Sequence, residues 1–293
     1  LGRSLLEQAK TVQVPEGASR FSEGGTLAQV LALRPNDVAQ MGRIDLLRAA
    51  EAVLLQAQRV NPLNTDHTAN LARLYRTWAD LSVDNPQMRQ EMLDKSLAMY
   101  DVATTLSPNA AHLWNEKGNA YQARAENDKA EATYLHSLEI DPIFEQTYLV
   151  LADYYERNQL YDKLIDTMKK GIDALEKANR VPSTAQLWSY MGVAYARKNE
   201  IDPAIAANLK VTELQPGNAA ALRNLVLLYQ QKGDMVNAAT YVDQAINSVS
   251  PAAGQVYTDM VGLGVQIYQQ VATAEPTNYL PVFNMARLLQ QLG

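Results

Sequence analysis

The sequence predicts an all-α fold, a right-handed superhelical solenoid of helical hairpins, and three observations carry that expectation. Tyr121, Tyr155, Tyr195 and Tyr229 recur 34, 40 and 34 residues apart. Each closes the same local phrase: Trp114-x-x-Lys117-Gly118-x-x-Tyr121, Tyr148-x-x-Leu151-Ala152-x-x-Tyr155, Trp188-x-x-Met191-Gly192-x-x-Tyr195 and Leu222-x-x-Leu225-Val226-x-x-Tyr229. A second phrase follows at a fixed distance, as Ala130-x-x-x-Tyr134, Ala204-x-x-x-Asn208 and Ala238-x-x-x-Val242, and prolines close the units at Pro142, Pro216 and Pro251. Bulky residues spaced by three and four share one helical face, and a self-similar period of this length marks a stacked array, not one large core.

Each unit reads as helix, tight turn, helix and stop. Gly or Ala inside the first apolar face lets a neighbouring helix approach closely. Glu126-Asn127-Asp128, Asn199-Glu200 and Lys232-Gly233-Asp234 bring turn and N-cap chemistry between the two helices. The proline then cannot continue the second helix. Units are expected at about 111–144, 145–184, 185–218 and 219–251.

The array extends toward the N-terminus. Leu71-Ala72-x-x-Tyr75 predicts a first helix, and Ser96-x-x-x-Tyr100 with Ala103 and Pro108 its partner, giving a unit at 65–110. Tyr75 and Tyr121 lie 46 residues apart, so this unit carries an insertion, expected as a lengthened turn at Asp84-Asn85-Pro86. Ala50-x-x-x-Leu54, Ala57 and Asn61-Pro62 predict another second helix within 43–64. Residues 1–42 read as an irregular N-terminal cap: a short helix around Leu5, Leu6 and Ala9, a flexible stretch holding Pro15, Gly17, Gly24 and Gly25, then apolar spacing from Leu27 to Leu33 before Pro35. Residues 178–183 read as a loop.

At the other end, a long apolar helix is expected over about 252–274. Val282-x-x-Met285-Ala286-x-x-Leu289 then predicts the first, unpaired helix of a degenerate unit at 252–293. Such a helix cannot bury its apolar face alone, which makes Val282, Met285, Leu288 and Leu289 candidate docking residues. What covers them is either continuing chain or another subunit. The chain opens on Leu1, which predicts a segment upstream.

These phrases resemble the tetratricopeptide repeat, whose pattern is W-x₂-L-G-x₂-Y, then A-x₃-F, then P. The likeness is strong at 111–144 and 185–218. Lys117 stands where the pattern has leucine, and Asn208 where it has an aromatic ring, so local packing is expected to loosen at both. The resemblance implies a scaffold whose concave wall, lined by outward residues of each first helix, meets protein partners. Interleaving with the packing positions assigns Asn70, Arg73, Asn115, Asn119, Asp153, Arg157, Arg197, Arg223 and Asn224 to that wall. Glu116 and Asp153 intrude between Arg73 and Arg197, which argues against a Lys/Arg and Asn clamp for a peptide's terminal carboxylate. The run from Asn61 to Tyr75, with Trp78-Ala79, also resembles the extracytoplasmic repeat region of O-antigen ligase or polymerase-like bacterial membrane proteins. That likeness implies a bacterial, extracytoplasmic scaffold in a cell-envelope polysaccharide context. End-to-end self-assembly into a filament or tube is the alternative.

Composition narrows the chemistry. A formal charge of −6 and no Lys/Arg cluster argue against nucleic acid. Cysteine is absent, which excludes disulfides and thiolate chemistry. His67, His112 and His136 lack metal-ligand spacing, and no phosphate loop or nucleophile elbow occurs. Pairs such as Asp153 and Glu156 are expected on solvated helix faces. The sequence therefore predicts no enzyme, no cofactor and no metal. Its partners are expected to be proteins, copies of itself included, without membrane insertion by this chain.

Overall fold

The computed structural model describes residues 1–12, 27–32, 38 and 41–292. Pro15, Gly17, Gly24, Gly25 and Pro35 lie outside the described residues. The chain divides into two compact units, Leu1–Phe144 and Glu145–Gly293, each a stack of antiparallel helical hairpins.

In the first unit, α1 (Gly2–Thr11) packs against α3 (Arg43–Val60), with the short α2 (Leu27–Leu31) also lying on α3. Two hairpins follow: α4 (Thr65–Leu81) with α5 (Pro86–Leu106), and α6 (Ala111–Ala123) with α7 (Asn127–Ile140). The second helix of each hairpin packs on the first helix of the next. Leu5, Leu6 and Ala9, at helical spacing, are buried in one cluster with Leu46, Ala50, Leu71 and Leu74. The short helix expected around Leu5, Leu6 and Ala9 is thus present as α1, packed on α3.

The insertion in the 65–110 unit goes into helix and not into turn. Helices α4 and α5 are 17 and 21 residues long, against 13 and 14 for α6 and α7. Only four residues, 82–85, separate α4 from α5. The Asn85 side chain accepts the Met88 amide at 3.0 Å and Pro86 opens the helix, an N-terminal arrangement that satisfies an otherwise orphaned donor.

In the second unit the hairpins are α8 (Glu145–Arg157) with α9 (Tyr161–Lys177), α10 (Ala185–Arg197) with α11 (Ile201–Leu214), α12 (Ala219–Lys232) with α13 (Met235–Asn247), and α14 (Gln255–Ala274) with α15 (Leu280–Leu292). The expected loop at 178–183 contains the start of a short 3-10 turn, Val181–Thr184.

Four of the hairpins turn through one left-handed residue. Ala125, Gln159, Asn199 and Gly233 have φ of 60°, 59°, 61° and 81°. At the first of these, the Glu126 amide reaches back to the Tyr121 carbonyl at 3.0 Å and the Ala125 amide to Gln122 at 3.0 Å, which ties off the helix end. Gly233 takes this conformation without steric penalty, whereas a Cβ there costs about 1–2 kcal/mol. Ala125→Gly is therefore expected to raise unfolding stability by up to about 1 kcal/mol, part of the relief being lost to the more flexible unfolded chain. A urea midpoint at or below that of the parent protein would contradict this account.

The last hairpin corrects the expected unpaired C-terminal helix. Helix α15 folds back on α14 as its second helix. Leu288 is 1% exposed, and a Cβ on Gly264 would lie 2.7 Å from its Cδ1. Arg287 reaches Asp243 of α13 at 2.8 Å. The apolar face of α14, with Val261, Ile267, Tyr268 and Val271, demands a cover, and α15 is that cover.

Candidate functional site

The outward residues of the first helices meet different fates in the two units. In the first, the Arg73 guanidinium holds Glu116 through Nε at 2.8 Å and Nη2 at 2.9 Å, and its Nη1 donates to Asn70 at 3.2 Å. The Tyr100 hydroxyl donates to the same Glu116 carboxylate at 3.1 Å. Burial first, and then the Glu116 charge, push the Tyr100 hydroxyl well above the ordinary phenol range, with Arg73 pulling the other way. Arg76 is paired with Asp80. The cavity of about 330 Å³ between α4, α5 and α6 is therefore walled by cations that already have their counter-ions. A ligand carboxylate there would have to displace Glu116 from a bidentate pair, the stronger kind of ion contact.

Asn115 does not stand on an open wall, whereas Asn119 lines the cavity between α4, α5 and α6. Asn115 is 5% exposed and its Oδ1 has no hydrogen-bond partner. Asn119 accepts the Tyr134 hydroxyl at 2.7 Å. Tyr134 is fully buried, and a Cβ on Gly118 would fall 2.4 Å from its ring, so the small residue in the phrase is what admits the aromatic side chain. Lys117, in the place of a leucine, has its ammonium paired with Asp101 at 2.8 Å and over the Trp114 ring at 4.9 Å. This accommodates a charge in a packing position.

In the second unit Asp153 is exposed and accepts the Tyr190 hydroxyl at 2.6 Å, and Arg157 is exposed. Arg197, Asn224 and Asn208 come together at a cavity of about 310 Å³ between α10, α11 and α12. Gly192, Val193, Ala196 and Leu227 supply apolar wall. Asn208 is 1% exposed. Its Nδ2 donates to the Ala204 carbonyl at 2.9 Å, and its Oδ1 accepts from Asn224 Nδ2 at 3.3 Å. Among the described residues, neither Arg197 nor the exposed Arg223 makes an ion pair. An apolar floor with a few convergent amides and an uncommitted cation is the composition of a ligand groove. Its one unusual signal in the sequence is Asn208 where the repeat pattern has a ring.

Of the candidate docking residues, Val282 and Leu289 are 49% and 48% exposed, Met285 is partly buried against the core, and Leu288 is buried. Leu288 is thus a core residue of the α14–α15 hairpin. Tyr279 and Phe283, 80% and 62% exposed, share the open face, and spacing alone did not single them out.

No group of three or more potential metal ligands occurs among the described residues. His136 is hydrogen-bonded to Glu139 and stands edge-on to Trp114. No helix among the described residues is long and apolar enough to cross a membrane.

Comparison with known proteins agrees with this architecture. Residues 111–144 match the family model described as tetratricopeptide repeat. The chain is 25% identical over 117 residues to protein bimA of Emericella nidulans, covering 40% of this chain and 13% of that one. It is 23% identical over 156 residues to the human protein O-mannosyl-transferase TMTC1, covering 53% and 18%. The chain thus spans less than a fifth of the length of either relative. Among solved structures it resembles the C-terminal part of a tetratricopeptide repeat-containing protein from Cytophaga hutchinsonii. The TM-score is 0.57 at 15% identity, over 82% of this chain and 94% of that one. The fold is a tetratricopeptide-type stack of helical hairpins, a kind that typically serves as a non-catalytic scaffold for protein–protein interaction.

Proposed function

We propose that this chain is a non-enzymatic scaffold that holds a segment of a partner protein in the groove of its second unit, between α10, α11 and α12. The observation that carries the proposal is the unequal state of the arginines. Arg73 and Arg76 are neutralised within the first unit, whereas Arg197 borders an apolar-floored cavity and has no counter-ion among the described residues. A partner segment placing an acidic side chain near Arg197 and apolar side chains on Val193 and Leu227 satisfies both features.

Selection of random peptides on the immobilised full chain tests this. The selected peptides are expected to be acidic, and Arg197→Glu, which reverses a rim charge, is expected to weaken them about tenfold, mostly through slower association. Peptides that bind Arg197→Glu as tightly as the parent chain, or a failure to select any, would overturn the reading.

The setting we propose for this scaffold is extracytoplasmic, at a bacterial cell envelope. Its support is the likeness of the run from Asn61 to Ala79 to the repeat regions of O-antigen ligase-like proteins. A second reading, association of copies through α15, is favoured by the open face formed by Tyr279, Val282, Phe283 and Leu289. Light scattering across a concentration series decides it, since a constant monomer mass removes this reading.

A further inference from the structure

The extra helix in the 65–110 unit walls a cavity. Helices α6, α8 and α10 end two residues after their phrase tyrosines, Tyr121, Tyr155 and Tyr195, whereas α4 runs six residues past Tyr75 to Leu81. Across the turn, α7 begins seven residues before Tyr134, but α5 begins fourteen before Tyr100. Trp78 lies in the first added stretch, and Met88, Glu91 and Met92 lie in the second. All four line a cavity of about 170 Å³ between α3, α4 and α5. The charged groups on its wall have partners. Lys95 pairs with Glu91 at 2.8 Å, Glu51 accepts the Tyr75 hydroxyl at 2.8 Å, and Arg48 is engaged as well. Trp78 is different. It is 4% exposed, and its indole N–H has no hydrogen-bond partner among the described residues. A buried indole usually finds an acceptor, and leaving such a donor unmade is costly.

We propose that this cavity binds a small, uncharged, single-ring molecule carrying a hydrogen-bond acceptor, with the Trp78 indole as the donor. Size limits the ligand to one ring, since a cavity of roughly 150 Å³ admits benzene and this one is about 170 Å³. Charge limits it further. The wall holds two cations, Arg48 and Lys95, and two anions, Glu51 and Glu91, so a net charge on the ligand finds nothing to offset its desolvation. Leu55, Met88 and Met92 supply apolar surface, thioethers favour contact with an aromatic ring, and the indole N–H demands an acceptor. The indole nitrogen is itself covered, so an acceptor reaches it only when a neighbour gives way. Met88 is suited to that: it is half-buried, and an unbranched thioether chain re-packs around a guest. The site belongs to the first unit and stands or falls apart from the groove of the second.

Indole N–H NMR of the full chain tests the site directly, because the protein has three tryptophans and so three such signals. Trp78→Phe identifies the Trp78 signal by its loss. The probe is benzamide, compared with toluene, which lacks the acceptor, and benzoate, which adds a charge. Benzamide is expected to move the Trp78 signal downfield, saturably and in the millimolar range, while those of Trp114 and Trp188 stay in place. Toluene is expected to bind about fivefold more weakly, the worth of one net hydrogen bond, and without the downfield movement. Benzoate is expected to bind about tenfold more weakly than benzamide, through the cost of burying its charge. Leu55→Phe, which adds a ring at the half-buried wall, is expected to abolish the response, with the Trp114 and Trp188 signals reporting that the fold is kept. Met88→Phe blocks the cavity from α5 and takes over as the readout if Leu55→Phe does not fold. A Trp78 signal that benzamide leaves unmoved, as an ordered water on the indole would produce, overturns the site. So do equal responses to benzamide, toluene and benzoate, or a response that persists in the folded blocking variant.

Discussion

Tyr134→Ala is expected to cost about 3–5 kcal/mol of unfolding free energy, the range for truncating a fully buried aromatic side chain. The ring is 0% exposed and fills the seam between α6 and α7 against Gly118, whose missing Cβ makes the contact possible. Truncation removes the ring from that seam and leaves Asn119 without the hydroxyl that it accepts at 2.7 Å. Tyr134→Phe separates the two losses. It keeps the ring and forfeits the hydroxyl's hydrogen bonding to Asn119 and Gln122, at about 1 kcal/mol. A stacked array unfolds through local as well as global openings, so denaturant midpoints need the company of hydrogen exchange. Protection over 111–140 is expected to collapse in the alanine variant, before that of α3 and α4. A loss below about 1 kcal/mol, with exchange unchanged over α6 and α7, would show that the ring does not hold this hairpin together.

The second large effect is expected at Gly171. A Cβ added there would lie 2.6 Å from Cδ2 of Leu187 and 2.8 Å from the ring of Tyr148. Those side chains belong to α10 and α8, and α9 passes between them. They are buried, at 1% and 3% exposure, so neither can swing into solvent to make room. Gly171→Val is expected to cost about 3 kcal/mol, the upper part of the range for overpacking a core. Gly262 supplies the opposite sign. It sits inside α14, and a Cβ added there would meet nothing within 4 Å, so Gly262→Ala is expected to add about 0.5–1 kcal/mol through backbone entropy alone. Thermal and urea unfolding of the two variants side by side is the measurement. A stable Gly171→Val would mean that the α8–α9–α10 packing is looser than its contacts imply.

The two glycines show how far local pattern reaches. The phrase Met191-Gly192-x-x-Tyr195 announces its own glycine, because the repeat demands a small residue where two helices cross. Gly171 lies outside the phrases used to find the repeats, and its role emerges only once Tyr148 and Leu187 arrive from the flanking helices. Asn115 is similar. Its place beside Trp114 suggests an outward residue, yet it is 5% exposed, because the alternation of outward and inward positions on a helix is graded and neighbouring helices set the boundary. Arg73 and Arg197 look alike in sequence. Their difference as ligands for an acid lies in Glu116, 43 residues from Arg73 and within 2.9 Å of it.

What the sequence by itself determined is the repeating unit: helical spacing, the small residue in most first helices, the turn and the stopping proline are all local, and local interactions are written in residues three, four or a few positions apart. Which face is covered by what was decided only by the tertiary structure. Helix α1 packs against α3 although a long stretch of sequence separates them, and α15 covers α14 instead of waiting for a partner. Burial and pairing are properties of side chains brought together from distant segments, and periodicity carries no record of those distances.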